Sequence, residues 1–378
     1  MRWLAITCLL VASIMVAFAP RAAACWPPSD LGTCNALHVG AGVVQAADIP
    51  EPMAGVNRMG TEYECVQGNG FTQGPPDAAS FQVIKNWSTS LNVVRVPLNQ
   101  DCWLGINGAP AEYSGANYRN FIFNYVRTSL YGWYVILDLH WSTPPGAPLC
   151  TDNCQQPMPD MAHSVDFWTS VASTFKDYNT QVMFDLFNEP FPDGGQDSTA
   201  AWTCWRDGGT CSGVSYQVAG MQTLLNAVRA AGANNLVLLG GVDWSNSLSQ
   251  WEAYRPTDPV DPVGNTYGLV TPSWHVYEGN SCSDVACYNS SILPLRQHGY
   301  AVLVTEMGTP TCDTAWEREL LGWLDTNEGW HARATGYYLG WSWADGPSAC
   351  SDLTLITDYT TGVPTQYGQI YYDWVQGR

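Results

Sequence analysis

From residue 53 onward, short apolar runs alternate with longer amphipathic stretches, a pattern that predicts strand and helix units around a parallel sheet. Eight runs read as strands, at residues 53–59, 92–98, 133–141, 181–187, 235–244, 269–277, 301–308 and 336–343. Between them, residues 114–130, 164–178, 216–232 and 315–325 repeat apolar positions at intervals of three and four, as a helix with one buried face requires. Eight strands, each followed by a helix or crossover, describe an α/β chain closed into a (β/α)8 TIM barrel. An open doubly wound sheet is the competing fold, but no GxGxxG follows any of the strands.

Length agrees with a single large domain, since 378 residues of which 46% are hydrophobic can enclose one barrel core. Residues 25–52 precede the first strand and are expected to cap the barrel bottom as a hairpin, leaving residues 53–378 as the barrel domain. No Ser/Pro-rich linker and no repeat beyond the strand–helix alternation interrupts it.

The first 24 residues read as a signal peptide: Arg2, an apolar run over residues 3–18, then Ala22, Ala23 and Ala24 as a small-residue cleavage site. The mature protein is therefore expected to be secreted. A lipid anchor on Cys25 is the alternative, disfavoured because Ala22 stands where a Leu is usual. No later stretch has the roughly 20 uninterrupted apolar residues of a membrane span. With Cys8 assigned to the removed segment, twelve cysteines remain, and an even set in an exported chain favours disulfides. Cys150 with Cys154, Cys204 with Cys211 and Cys282 with Cys287 are near enough in sequence to staple single loops. Zinc ligation is the weaker reading, since CxxC pairs and HExxH are both missing.

Cleavage also removes Arg2 and Arg21, leaving 13 basic against 34 acidic residues, a balance of −21 that makes nucleic acid and anionic membranes poor partners. Charged residues are only 13% of the chain, while 18 Trp and 19 Tyr are present, a composition suited to neutral, hydroxyl-rich ligands.

In a barrel of this kind the site lies at the C-terminal ends of the strands. Those ends carry Arg95, His140, Asn188 with Glu189, Trp244, His275 with Tyr277, Glu306 and Trp341. Glu189 and Glu306 each follow an apolar strand, the fourth and the seventh. Glycosidic hydrolysis needs such a pair, one carboxyl protonated to release the leaving oxygen and one ionised to attack or to activate water. Arg95 inside an apolar strand demands a buried carboxylate, and Glu306 is the natural candidate. Trp141, Trp244 and Trp343 are possible sugar platforms, each weighed against ordinary core packing, as is Trp274. Asp177, Glu317, Glu319 and Asp325, on helix segments, read as solvated surface charge, and His163 and His298 as structural.

The segments VVRVPLN, VILDLHW, FDLFNEP, SWHVY, LVTEMG and GWSWAD, in this order, resemble glycoside hydrolase family 5, the cellulase family of the large glycosidase barrel clan. The resemblance implies Glu189 as acid/base, Glu306 as nucleophile and Asn188 as a ligand of the sugar 2-hydroxyl. It further implies that Arg95 and Tyr277 hold the nucleophile, that His140 and His275 line the site, and that Trp341 floors it, with Trp343 competing for that place. No metal or organic cofactor is needed. The implied protein is a monomeric, retaining β-glycoside hydrolase acting on polysaccharide, foremost an endo-β-1,4-glucanase. A β-mannanase and an exo-β-glycosidase are the alternatives within the family, and the long loops at 102–113, 142–160 and 191–215 bear on that choice. A non-catalytic carbohydrate-binding barrel, or a metal-dependent hydrolase built on His140 and His275, are the readings from other classes.

Overall fold

A computed structural model describes residues 36–40, 43–46, 49–50, 53–129, 132–260, 267–328, 337–347 and 349–377. The signal peptide, Cys8, Cys25 and Cys34 lie outside these residues. Eight parallel strands close into a barrel: β1 Ala54–Asn57, β2 Leu91–Asn99, β3 Tyr134–Trp141, β4 Val182–Asp185, β5 Val237–Gly240, β6 Val270–Tyr277, β7 Leu303–Gly308 and β8 Tyr338–Gly340. One strand corresponds to each of the eight apolar runs. The ring is sealed where β8 pairs with β1, Tyr338 opposite Ala54.

Helices α1 Ala78–Lys85, α2 Ala116–Ser129, α3 Ser164–Phe175, α4 Thr199–Asp207, α5 Met221–Ala230, α6 Thr314–Glu328 and α7 Gln366–Gln376 surround it. Helices α2, α3, α5 and α6 answer to the four amphipathic stretches. The others are marked less by apolar period than by their caps. Asp77, Ser198 and Thr365 each accept a hydrogen bond from a backbone N–H three residues on, satisfying a donor that the first turn leaves free.

Two apolar cores follow from strand alternation, since successive side chains point to opposite faces. The larger fills the shell between strands and helices. The smaller lies low inside the barrel, where Val93, Ile136, Met183, Leu238, Leu303 and Leu339 meet Leu37, Val39, Val43 and Val44. Leu37 leads into an antiparallel hairpin, His38–Gly40 with Val43–Ala46, that carries the other three, so the barrel floor is closed by the N-terminal segment. Two residues further along β2, β3, β4 and β7 the interior turns polar, with Arg95, Asp138, Asp185 and Thr305, and this is what places the site.

The three close cysteine pairs are bonded as expected. Cys65–Cys102 and Cys312–Cys350 are longer ties, spanning 37 and 38 residues. Each joins the loops that follow two neighbouring strands, β1 with β2 and β7 with β8.

One expectation is corrected. Asp177 and Glu319 are exposed and Asp325 is half-buried, but Glu317 is wholly buried beneath α6, where neither carboxyl oxygen has a hydrogen-bond partner among the described residues. The first-turn position that looked like surface faces α7 and the barrel instead. Burial pushes its pKa up to about 8, against the weak pull of Arg318. Between pH 4.5 and 8 the native state therefore holds a proton that the unfolded chain has released, and stability falls as pH rises, by up to about 1.4 kcal/mol per unit. Glu317→Gln is expected to gain stability over the parent from pH 5 to pH 8, read as the difference in urea midpoint at the two pH values. A difference that stays constant would refute the burial argument.

Candidate active site

Arg95 is the centre from which the site is built. It points inward from β2, fully buried, and its guanidinium meets carboxylates from three other strands: Glu306 at 2.6 Å, Asp185 at 3.2 Å and Asp138 at 3.2 Å. It also donates to Asn57 Oδ1 at 3.1 Å and Asn188 Oδ1 at 2.9 Å. Burial works against the charge, and Asp138, Glu306 and Asp185 together more than restore it, so Arg95 is a fixed cation. One of its anions gives way: burial raises the pKa of Asp185 to about 7, opposed by Arg95, and Ser273 donates to its Oδ2 at 3.2 Å.

Period two along the strands explains the convergence. On β3, Ile136 belongs to the floor, while Asp138 and His140 stand above it on the same face. On β6, Thr271, Ser273, His275 and Tyr277 climb in the same way. Strand β7 departs from the rule, because pairing with β6 shifts so that His275 lies opposite Glu306 and Thr305 is the extra residue. Both Thr305 and Glu306 consequently address the interior, the re-aiming of a side chain that a β-bulge provides.

Each oxygen of the two glutamates has its own donor. Glu306 receives Arg95 Nη1 on Oε1 and the Tyr277 hydroxyl on Oε2 at 2.7 Å. Glu189 receives His275 Nδ1 on Oε1 at 2.9 Å and Gln155 Nε2 on Oε2 at 2.6 Å. Burial and the nearby Arg95 and His140 push the His275 pKa down to about 3, against the pull of Glu306, so His275 is neutral and donates through one nitrogen. Burial raises the pKa of Glu189, tempered by Gln155, and keeps a proton on it more readily than on a free glutamate. One oxygen of each glutamate and a ring nitrogen of His275 lie within 4.8 Å of one another, close enough to share a cation. With all four carboxylate oxygens already served by donors, the arrangement is that of a hydrogen-bonded pair.

His140 is held by Asp138 at 2.8 Å on Nδ1 and stacks face to face with Trp341, centroids 5.3 Å apart and planes 6° from parallel. Burial disfavours its charge, but the Asp138 carboxylate prevails and lifts its pKa above the ordinary value. A cleft of about 570 Å³ opens over these groups, lined also by Glu62, Tyr63, Trp141, Asn153 and Gln155.

Glu189, Glu306, Arg95, His140, Asn188, His275, Tyr277 and Trp341 thus stand together, with Trp141 on the cleft wall. Three of the four tryptophans weighed as platforms are placed otherwise. Trp343 is fully buried against Trp87, because β8 ends at Gly340 and the strand alternation that aimed it at the cleft does not continue. Trp274 is core, donating its indole N–H to Asn246 O. Trp244 lies four residues past the end of β5, in a turn where Asp243, Trp244 and Ser245 all take positive φ. It is 41% exposed and stacked on Phe191 at 4.9 Å, outside the cleft lining. Asp138, Asp185, Glu62 and Gln155 were not anticipated. The first two were visible as acids sharing strand parity with Arg95 and His140. Glu62 and Gln155 sit on loops without period.

The model of the family described as Cellulase (glycosyl hydrolase family 5) matches residues 53–346. The chain belongs to glycosyl hydrolase family 5. It is 25% identical over 265 residues to Endoglucanase 1 of Robillarda sp., covering 63% of this chain and 62% of that protein. It is 29% identical over 261 residues to Endoglucanase B of Clostridium cellulovorans, covering 62% and 54%. The chain thus matches only about half to three-fifths of the length of these relatives. A β-mannanase of Thermomonospora fusca, solved with mannotriose, superposes with a TM-score of 0.60 at 16% identity over 89% of this chain and 94% of that one. At that identity the likeness speaks for the family 5 barrel fold alone.

Removing the central cation leaves a cluster of buried acids unpaired. Arg95→Met is therefore expected to lose roughly 3–5 kcal/mol of stability, measured by urea unfolding. Tyr277→Phe, which deletes one hydrogen bond to the Glu306 carboxylate, is expected to lose less, roughly 1.5 kcal/mol.

Proposed function

We propose that this protein is a secreted, retaining β-glycoside hydrolase in which Glu306 is the nucleophile and Glu189 the acid/base. The observation that carries the reading is the spacing of the two glutamates, whose oxygens approach within 4.8 Å. Retention calls for carboxyl groups roughly 5–5.5 Å apart, whereas inversion leaves about 6.5–9.5 Å for a water. Glu306, fixed by Arg95 and Tyr277, attacks the anomeric carbon while Glu189 gives its proton to the leaving oxygen. Glu189, now ionised, takes a proton from water, and that water releases the sugar from Glu306. Asn188, steadied by Arg95, faces the sugar 2-hydroxyl, and Trp341 floors the reacting ring.

The substrate we propose is β-1,4-glucan, cut within the chain by a monomeric enzyme, in keeping with the names of the endoglucanase relatives. β-Mannan is the second reading, in keeping with the name of a relative 24% identical over 253 residues, the mannan endo-1,4-beta-mannosidase of Cellvibrio japonicus. Five disulfides among the described residues support export, since such bonds persist in oxidising compartments.

Turnover on carboxymethylcellulose, mannan, xyloglucan and aryl β-glycosides separates these readings; hydrolysis of aryl glycosides alone would end the endo assignment. Glu306→Gln is expected to lower kcat by roughly 10³-fold or more while polysaccharide binding persists. Undiminished turnover in that variant would remove Glu306 from the role. Glu189→Gln should slow cleavage of glucan far more than of a dinitrophenyl glycoside, whose leaving group needs no proton.

A further inference from the structure

Gln155 directly follows Cys154, and its loop is tied from several sides. The Cys150–Cys154 disulfide closes a turn of five residues. The Ser142 N–H donates to Cys154 O at 3.2 Å, the Cys150 N–H to Thr143 Oγ1 at 3.0 Å, and Gln156 Nε2 to Ser142 O at 3.2 Å. Each bond fastens the turn to the residues that leave β3. From the far side Gln67 Nε2 donates to Thr151 O at 3.1 Å. Cys154 is fully buried, so the turn is anchored as well as closed. Its product is a single contact with the chemistry: Gln155 Nε2 at 2.6 Å from Glu189 Oε2, with the Glu189 backbone carbonyl at 3.4 Å.

We propose that Gln155 is a positioning residue for Glu189: fixed by the Cys150–Cys154 staple, its carboxamide stabilises the ionised form and reserves Oε2 as the oxygen that exchanges the proton. This rests on the acid/base role proposed for Glu189. His275 meets Oε1 from the barrel interior, and Oε2 is the oxygen turned to the loop. An amide N–H stabilises a carboxylate there. When Oε2 carries the proton, the amide must turn its oxygen to accept it or withdraw toward the cleft. Glycosylation requires the protonated oxygen to face the leaving group, and deglycosylation requires the carboxylate. Gln155 thus weights the pair of steps toward the second, opposing the effect of burial on Glu189.

Carboxyl-¹³C glutamate NMR, with the Glu189 resonance identified by its loss in Glu189→Gln, reads this directly and needs no substrate. Gln155→Ala is expected to raise the proton affinity of Glu189 by about tenfold, the worth of one hydrogen bond to a charged group. Gln155→Met, close to isosteric, should do the same if truncation disturbs the loop. The Cys150→Ser, Cys154→Ser double variant should shift it in the same direction. An unchanged titration in both Gln155 variants would overturn the proposal. With carboxymethylcellulose as substrate, the alkaline limb of kcat/KM should move up by the same factor, and a change confined to KM would count against it. Absence of turnover in the parent enzyme would defeat the hydrolase reading while the NMR titration still decides the role of Gln155.

Discussion

A guanidinium with no access to water organises this barrel. Arg95 could not be buried alone, since an unpaired charge in a core is destabilising by several kcal/mol. Its partners come from β1, β3, β4 and β7 and from the segment after β4, so one side chain fixes the relative height of five parts of the ring. The arrangement also fixes Glu306 before any ligand arrives. A carboxylate clamped by Arg95 on one oxygen and by Tyr277 on the other has little rotational freedom left to lose on reaction. Below this layer the interior is apolar and closed by the hairpin. Above it lies the cleft. The barrel interior is thus divided by height into a part that holds the ring together and a part that holds charge.

The sequence was most informative where periodicity and covalent chemistry speak together. All eight strands, four of the seven helices and three disulfides were legible, as was the pairing of Arg95 with Glu306, because a cation in an apolar run has few alternatives. Strand parity would also have predicted Asp138 and Asp185, had every inward position been taken as one set with Arg95. Parity misled at Trp343, since it holds only while strand geometry lasts and β8 stops at Gly340. Trp244 is displaced from the strand end for a related reason: the run 235–244 outlasts the strand, and the ring is presented from a turn of three consecutive positive-φ residues. Glu317 escaped because a helix face buried by a neighbour from elsewhere in the chain cannot be recognised locally. Gln155 and Glu62 carry no period, so only tertiary structure reveals them.

The cleft walls follow a different logic from its floor. Residues at strand ends are placed by the hydrogen-bonded ladder, whereas Glu62, Tyr63, Asn153 and Gln155 depend on loops, and the loops depend on bonds between them. Cys65–Cys102 joins the segments after β1 and β2, and Gln67 reaches the stapled turn after β3. Consecutive loops are thereby linked along one side of the opening. Choice among polysaccharides is a property of such walls, while the pair of glutamates and their clamps belong to the ladder.

The closed ring also has a consequence in time. Its seam joins β1 to β8, and the hairpin that floors the barrel reaches the same region, where Val44 N–H donates to the Tyr337 hydroxyl 293 residues away in sequence. Neither contact can form until nearly the whole chain is available, and contacts of such long range slow folding because loop closure precedes any reward. A chain shortened at its C-terminal end would therefore lack both the seam and part of the floor's support, leaving β1 as an open sheet edge exposed to other chains.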